Sequence, residues 1–253
     1  MRRLPIMLAA GAGAILATTG APAAASSSQP SATGVLVTPA APSTIAASGA
    51  FVENISEVGP SPSNCGFHLY RRSSPRQYGG VFKYLGFYTG TQTTGRAQVS
   101  VGYLQYQIRP TDCTGNTGSA VYSTVVVPTI LDNPFSTVSG SATTVHSASY
   151  YGGSALQTTS NGADVRANFD TLYNIGIVVG TGPRGGIGTV YADGVQKGTI
   201  NFHSATVGGM KVLFKVLGLN PFTTTQIDIV ASAGAAGGHS MYLDAVVGNL
   251  FPD

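Results

Sequence analysis

The chain has 253 residues, of which thirteen are Lys or Arg and ten Asp or Glu, with 34 Gly, 14 Pro, two Cys and no Trp. Its charged fraction of 9% lies far below the roughly 25% of ordinary soluble domains. That excludes a basic nucleic-acid binder, which needs clustered Lys and Arg to displace counterions, and a coiled coil or helical repeat built from Ala, Glu, Lys, Leu and Arg.

Met1, Arg2 and Arg3 open the chain with positive charge, residues 4–17 are largely apolar, and Ala23-Ala24-Ala25 supplies small residues for a cleavage site. Together they predict an export signal over residues 1–25. The rival reading, a membrane anchor, needs about 20 apolar residues, and Thr18, Thr19, Gly20 and Pro22 end this run sooner. No later stretch is long and apolar enough to span a bilayer. The expectation is a secreted, extracellular protein with no membrane span after signal cleavage, free or associated with a cell surface. Cleavage takes Arg2 and Arg3 from the thirteen basic residues and leaves eleven against ten acids. So small a net charge implies neither an acidic polymer nor an anionic lipid as partner.

Residues 26–49 are polar and punctuated by Pro, with one β-prone island at Val35-Leu36-Val37-Thr38. By composition they form a flexible tether; the alternative is that the island adds as a strand to a sheet of a partner or of the chain's own body. Short strands follow. In residues 99–108 (VSVGYLQYQI) the alternation changes phase, which predicts a bulge near Gly102 or burial on both faces. Residues 112–116 (DCTGN) form a turn, residues 120–127 (AVYSTVVV) another strand closed by Pro128, and residues 129–134 a short linker. Cys65 precedes one β-prone run and Cys113 follows another. In an oxidising compartment they are expected to form a disulfide worth roughly 3–4 kcal/mol, the alternative being two buried thiols.

The run from Tyr106 to Asn116 (YQIRPTDCTGN) resembles the late strand and turn of fibronectin type III-like and Ig-like modules in secreted bacterial proteins. The resemblance implies a small β-sandwich over residues 50–128. In the second half, two β-prone runs flank Asp193-Gly194, a pair whose positive φ angles suit a tight hairpin. Further strands are expected at 175–179, 212–216, 227–230 and 241–247, and no amphipathic helix is evident. Tyr150-Tyr151-Gly152-Gly153-Ser154, Val190-Tyr191-Ala192-Asp193-Gly194, Val212-Leu213-Phe214 and Leu243-Asp244-Ala245-Val246 resemble the galactose-binding-like jelly-roll sandwich of actinobacterial secreted proteins. The similarity implies a jelly roll over residues 129–253 that binds glycan or serves as a non-catalytic appendage. The sequence departs from that pattern at His146 and at residues 220–224 (NPFTT).

Gly180-Thr181-Gly182-Pro183-Arg184-Gly185 formally matches a dinucleotide fingerprint, but a strand and a turn follow where a helix N-terminus is required. No strained Gly-x-Ser-x-Gly turn is present, and His68, His146, His203 and His239 read as surface or turn residues. Neither a cation-binding cluster of acids nor a pair of catalytic carboxylates is visible. Asp244, inside an apolar strand, is expected to pair with a backbone donor or with Arg166 or Arg184. Binding is expected to fall to Tyr and Arg, whose rings and planar donors suit sugars and protein hot spots. Tyr150, Tyr151, Arg184 and Tyr191 carry that expectation in the second half. Arg71, Arg72 and Tyr78 carry it in the first, within an aromatic cluster that also holds Tyr70, Phe82, Tyr84 and Phe87. The expectation is an all-β protein of two sandwich domains, without catalysis, cofactor, metal or nucleic acid. Its partner is an extracellular glycan or, alternatively, a secreted protein for which it acts as adaptor.

Overall fold

The computed structural model describes residues 29–76, 79–89, 92–97, 102–234 and 237–250. The export segment expected at residues 1–25, and Tyr78, lie outside them. In the first half the strands are β1 (Gly34–Pro39), β2 (Ser43–Thr44), β3 (Phe51–Val58), β4 (Asn64–Ser74), β5 (Lys83–Thr89), β6 (Gln92–Ala97), β7 (Tyr103–Asp112) and β8 (Val121–Tyr122). The sheet β1-β3-β6 faces the sheet β5-β4-β7-β8 across a core of Val37, Ile55, Phe67, Leu69, Tyr106 and Ile108. Each aliphatic or phenylalanine side chain among them contributes about 1.5–3 kcal/mol on leaving water. Strand β3 alternates strictly, so Phe51, Glu53, Ile55 and Glu57 all point inward. Cys65 and Cys113 are disulfide-bonded, with Cα atoms 5.1 Å apart, and join the start of β4 to the residue beyond β7.

The second half contributes β9 (Val127–Asp132), β10 (Ser136–Ser139), β11 (Ala142–His146), β12 (Ser154–Thr158), β13 (Asp164–Phe169) and β14 (Leu172–Thr181). It continues through β15 (Ile187–Ala192), β16 (Val195–Asn201), β17 (Gly208–Val216), β18 (Thr225–Ser232) and β19 (Met241–Leu250). A five-stranded sheet, β10-β13-β18-β15-β16, packs on a larger one, β11-β12-β19-β14-β17-β2, with β9 also paired along β19. Between them lie Val165, Phe169, Ile175, Ile177, Val190 and Ile229, among others. The hairpin turns where expected, with Asp193 at φ 49° and Gly194 at φ 75°. Among the described residues the one helical element is a single 3₁₀ turn at Tyr151–Gly153.

Three expectations are corrected. Within the supposed tether, Gly34 to Pro39 pair in register with Val58 to Glu53, and Ser43 and Thr44 pair with β17. The apolar island finds a buried place in the chain's own body, which outweighs the disorder its neighbours favour. Residues 120–127 do not form one strand: β8 covers two of them, Val126 makes an isolated bridge to Leu104, and the next strand begins only at Val127. Residues 129–134 are no linker, because Val127 to Asp132 pair with Leu250 to Ala245. The expected boundary after Pro128 therefore falls inside β9. Pro128 is tolerated there because β9 has one paired side, and a proline lacking an N–H suits an edge strand.

The two halves meet through apolar surface. Strand β14 is buried on both faces, with Ile175, Ile177 and Val179 toward the jelly-roll core. Its Val178 joins Val212, Ala245 and Val247 on the opposite face, against Phe51, Leu104, Val126 and Ile45. At Gly176 a Cβ would sit 2.7 Å from Val212 and 3.0 Å from Pro39, so the missing side chain is what lets β1 lie against the large sheet. Buried Asn174 spans the seam, donating to the Val37 carbonyl at 3.0 Å and accepting from the Gly218 N–H at 2.9 Å.

Candidate functional site

Four connections gather at one end of the jelly roll: residues 147–153, 182–186, 202–207 and the described parts of 233–240. The Gly182–Gly185 turn closes with a 2.9 Å hydrogen bond from the Gly185 N–H to the Gly182 carbonyl. It places Pro183 and Arg184 at the turn's corner. The turn is held from both sides, by Ser204 N–H to Gly182 O at 3.0 Å and Ser240 N–H to Arg184 O at 3.0 Å. What formally matched a nucleotide fingerprint is thus a braced corner between two strands.

Two cavities flank this corner and share Pro183 and Arg184. One, of about 270 Å³, is also lined by Tyr150, Thr181, Gly182, Val207 and Tyr242. The other, of about 400 Å³, adds Thr159, Gly237, Gly238, His239 and Ser240. These volumes approach the range of small-molecule sites, where apolar walls carry a few placed polar groups. Tyr150 lies over β14 because position 180 is glycine; a Cβ there would fall 2.6 Å from the Tyr150 ring. Lys211 Nζ donates to Thr181 Oγ1 at 3.0 Å, adding a cation behind the hydroxyl. Among the described residues, neither lining contains a carboxylate.

The support beneath Tyr150 is Asp244. It pairs with neither Arg166 nor Arg184: its Oδ1 accepts from the Tyr151 N–H at 2.9 Å and its Oδ2 from the Met210 N–H at 3.2 Å. Arg166 instead binds Asp228, with Nε to Oδ1 2.5 Å. Asp244 has no exposed surface, and burial pushes its carboxyl up to about 7, against the pull of the two N–H donors. Burial, followed by the nearby Tyr242 and Asp244, also pushes the Tyr150 hydroxyl up.

Of the residues singled out in the sequence, the fold brings Tyr150 and Arg184 together and separates the others. Tyr151 packs half-buried against the seam containing Val178 and Val212. Tyr191 sits on the outer face of the five-stranded sheet, cross-strand from Asp228. Arg71 and Arg72 point to opposite faces of β4. Arg71 turns inward, where its charge acts on Glu53 and Tyr106. Arg72 turns outward and lies over the Phe82 ring at 5.1 Å. Tyr242, Val207, Thr181 and His239 were not foreseen as wall residues. The outward phase of Tyr242, between inward Met241 and Leu243, was the available signal.

No protein-family model and no curated protein matches the chain. Solved structures do. The CBM36-1 domain of a multidomain xylanase from the hindgut metagenome of Trinervitermes trinervoides is 12% identical at a TM-score of 0.37, covering 48% of this chain and 95% of that one. A carbohydrate-binding module CBM36 in complex with calcium and xylotriose is 15% identical at a TM-score of 0.35, covering 47% and 97%. The catalytic domain of a GH87 alpha-1,3-glucanase in complex with nigerose is 16% identical at a TM-score of 0.33, covering 50% of this chain and 28% of that one.

Proposed function

We propose that the chain is an exported, non-catalytic recognition protein whose jelly-roll half binds an extracellular glycan in the cleft around Arg184. The observation that carries this reading is the convergence of Tyr150, Tyr242 and Arg184 on the smaller cavity. The rings offer apolar faces to the C–H surface of a sugar, and the guanidinium and the Thr181 hydroxyl offer hydrogen bonds to its oxygens. The rigid brace on residues 182–186 lowers the ordering cost of binding. The work is divided between a disulfide-stapled sandwich of the Ig or fibronectin kind and the jelly roll that carries the cleft. Screening the exported chain on a glycan array, then titrating the best glycan against Arg184→Ala and Tyr242→Ala, tests this. Each substitution is expected to weaken binding at least tenfold. Absence of retention on every glycan, or unaltered binding by both variants, overturns it.

A further inference from the structure

The first sandwich carries a second surface that the cleft does not use. On the outward face of the sheet β5-β4-β7-β8, aromatic rings form a continuous row. Phe87 and His68 have centroids 5.1 Å apart, His68 and Tyr84 5.7 Å, and Tyr84 and Tyr70 5.2 Å. The His68 Nδ1 and Tyr84 hydroxyl lie 3.2 Å apart. Tyr84 and Phe87 are 54% and 45% exposed. Farther along, Arg72 covers Phe82, and Phe82 meets Tyr122 at 5.6 Å. Exposed Arg109 is cross-strand from His68 and therefore shares this face.

Charge on this half is one-sided. Residues 29–128 contain six Lys or Arg and three acids, although the chain as a whole is nearly balanced. None of the three acids is on the ring face. Glu53 is fully buried, Glu57 faces Asn64, and Asp112 caps its own turn through the N–H groups of Thr114 and Asn116.

We infer that this face is a second binding surface, for an acidic polysaccharide whose sugar rings lie along Phe87, Tyr84 and Tyr70 while its carboxylates meet Arg109 and Arg72. Charge complementarity selects an anionic occupant. The rings select a polymer with apolar C–H faces. They contact one another at interplanar angles near 50°, which makes a tilted, continuous relief. The inference is independent of the cleft around Arg184.

The test is affinity electrophoresis of the signal-free chain in gels containing polygalacturonate, neutral xylan or no polymer, with oligodeoxythymidylate titrated separately. Polygalacturonate is expected to retard the chain, less so at raised ionic strength, with xylan at least tenfold weaker. Tyr84→Ala and Arg109→Gln, both at exposed positions, are expected to weaken retardation at least fivefold, and Arg184→Ala to leave it unchanged. Four results overturn the inference: no retardation, equal retardation by xylan, retardation insensitive to Tyr84→Ala and Arg109→Gln, or tighter binding of oligodeoxythymidylate. Loss with Arg184→Ala alone assigns the acidic polymer to the cleft and likewise overturns it.

Discussion

The Tyr106 hydroxyl donates a 2.5 Å hydrogen bond to Glu53 Oε2 across the buried interior of the first sandwich. Burial pushes the Glu53 carboxyl up, against the pull of that hydroxyl and of the Arg71 charge. A carboxyl in such a place depends on its donor, because an unsatisfied buried acceptor bears its full desolvation penalty. Tyr106→Phe is therefore expected to lower unfolding free energy by about 1–3 kcal/mol, measured by urea titration at neutral pH. A change no larger than that of an exposed substitution would mean that the bond is not formed in solution.

Asp244 gives the chain a pH signature. Its folded pKa, about 7, stands above its ordinary value of 3.8, so the folded chain holds this proton more tightly than the unfolded chain. Stability from this group is therefore greatest in acid, declines as pH rises from about 4 to about 7, and is level above that. Thermal melts across this window are expected to show the decline, and Asp244→Asn to flatten it. A wild-type profile that rises over the same window, or one that Asp244→Asn leaves unaltered, contradicts the assignment.

Gly176→Val tests the seam. The added side chain would meet Val212, Pro39 and Val247 at 2.7–3.0 Å from its Cβ alone, and overpacking of this kind costs about 1–3 kcal/mol. Truncation of residues 26–39 is expected to destabilise as well, because it strips β1 from β3. If β1 is detached in solution, the truncation would leave calorimetric stability where it was.

Loss of the Cys65–Cys113 bridge, by Cys65→Ser with Cys113→Ser, is expected to lower stability by about 2–4 kcal/mol. Equilibrium unfolding of the double variant beside the parent measures it, and indifference to reductant in the parent would count against the bridge.

Much of the fold was legible because strands declare themselves locally. Asp193-Gly194 marked its hairpin, and the β-prone run at 175–179 marked β14. The fate of residues 34–39 and 127–132 was only partly legible: the island at 35–38 read as β-prone, with a strand in the chain's own body as the alternative, but Pro and small polar residues around both segments weigh toward loops, and only their distant partners, β3 and β19, make them strands. The site shows the same division. Alternation along β4 could separate Arg71 from Arg72 but could not say which face was buried. Tyr150 and Arg184 meet only because β14 and β19 bring residues 180 and 242 into register, a relationship no local pattern contains.

The apolar seam through Phe51, Leu104, Val126, Val178 and Val247 also fixes geometry. Domains joined by a hydrophobic junction do not reorient freely, so Arg109 on one half and Arg184 on the other keep a constant spacing. Two glycans, one on each half, would then be held at a set distance from one another, with the chain as a rigid spacer between them.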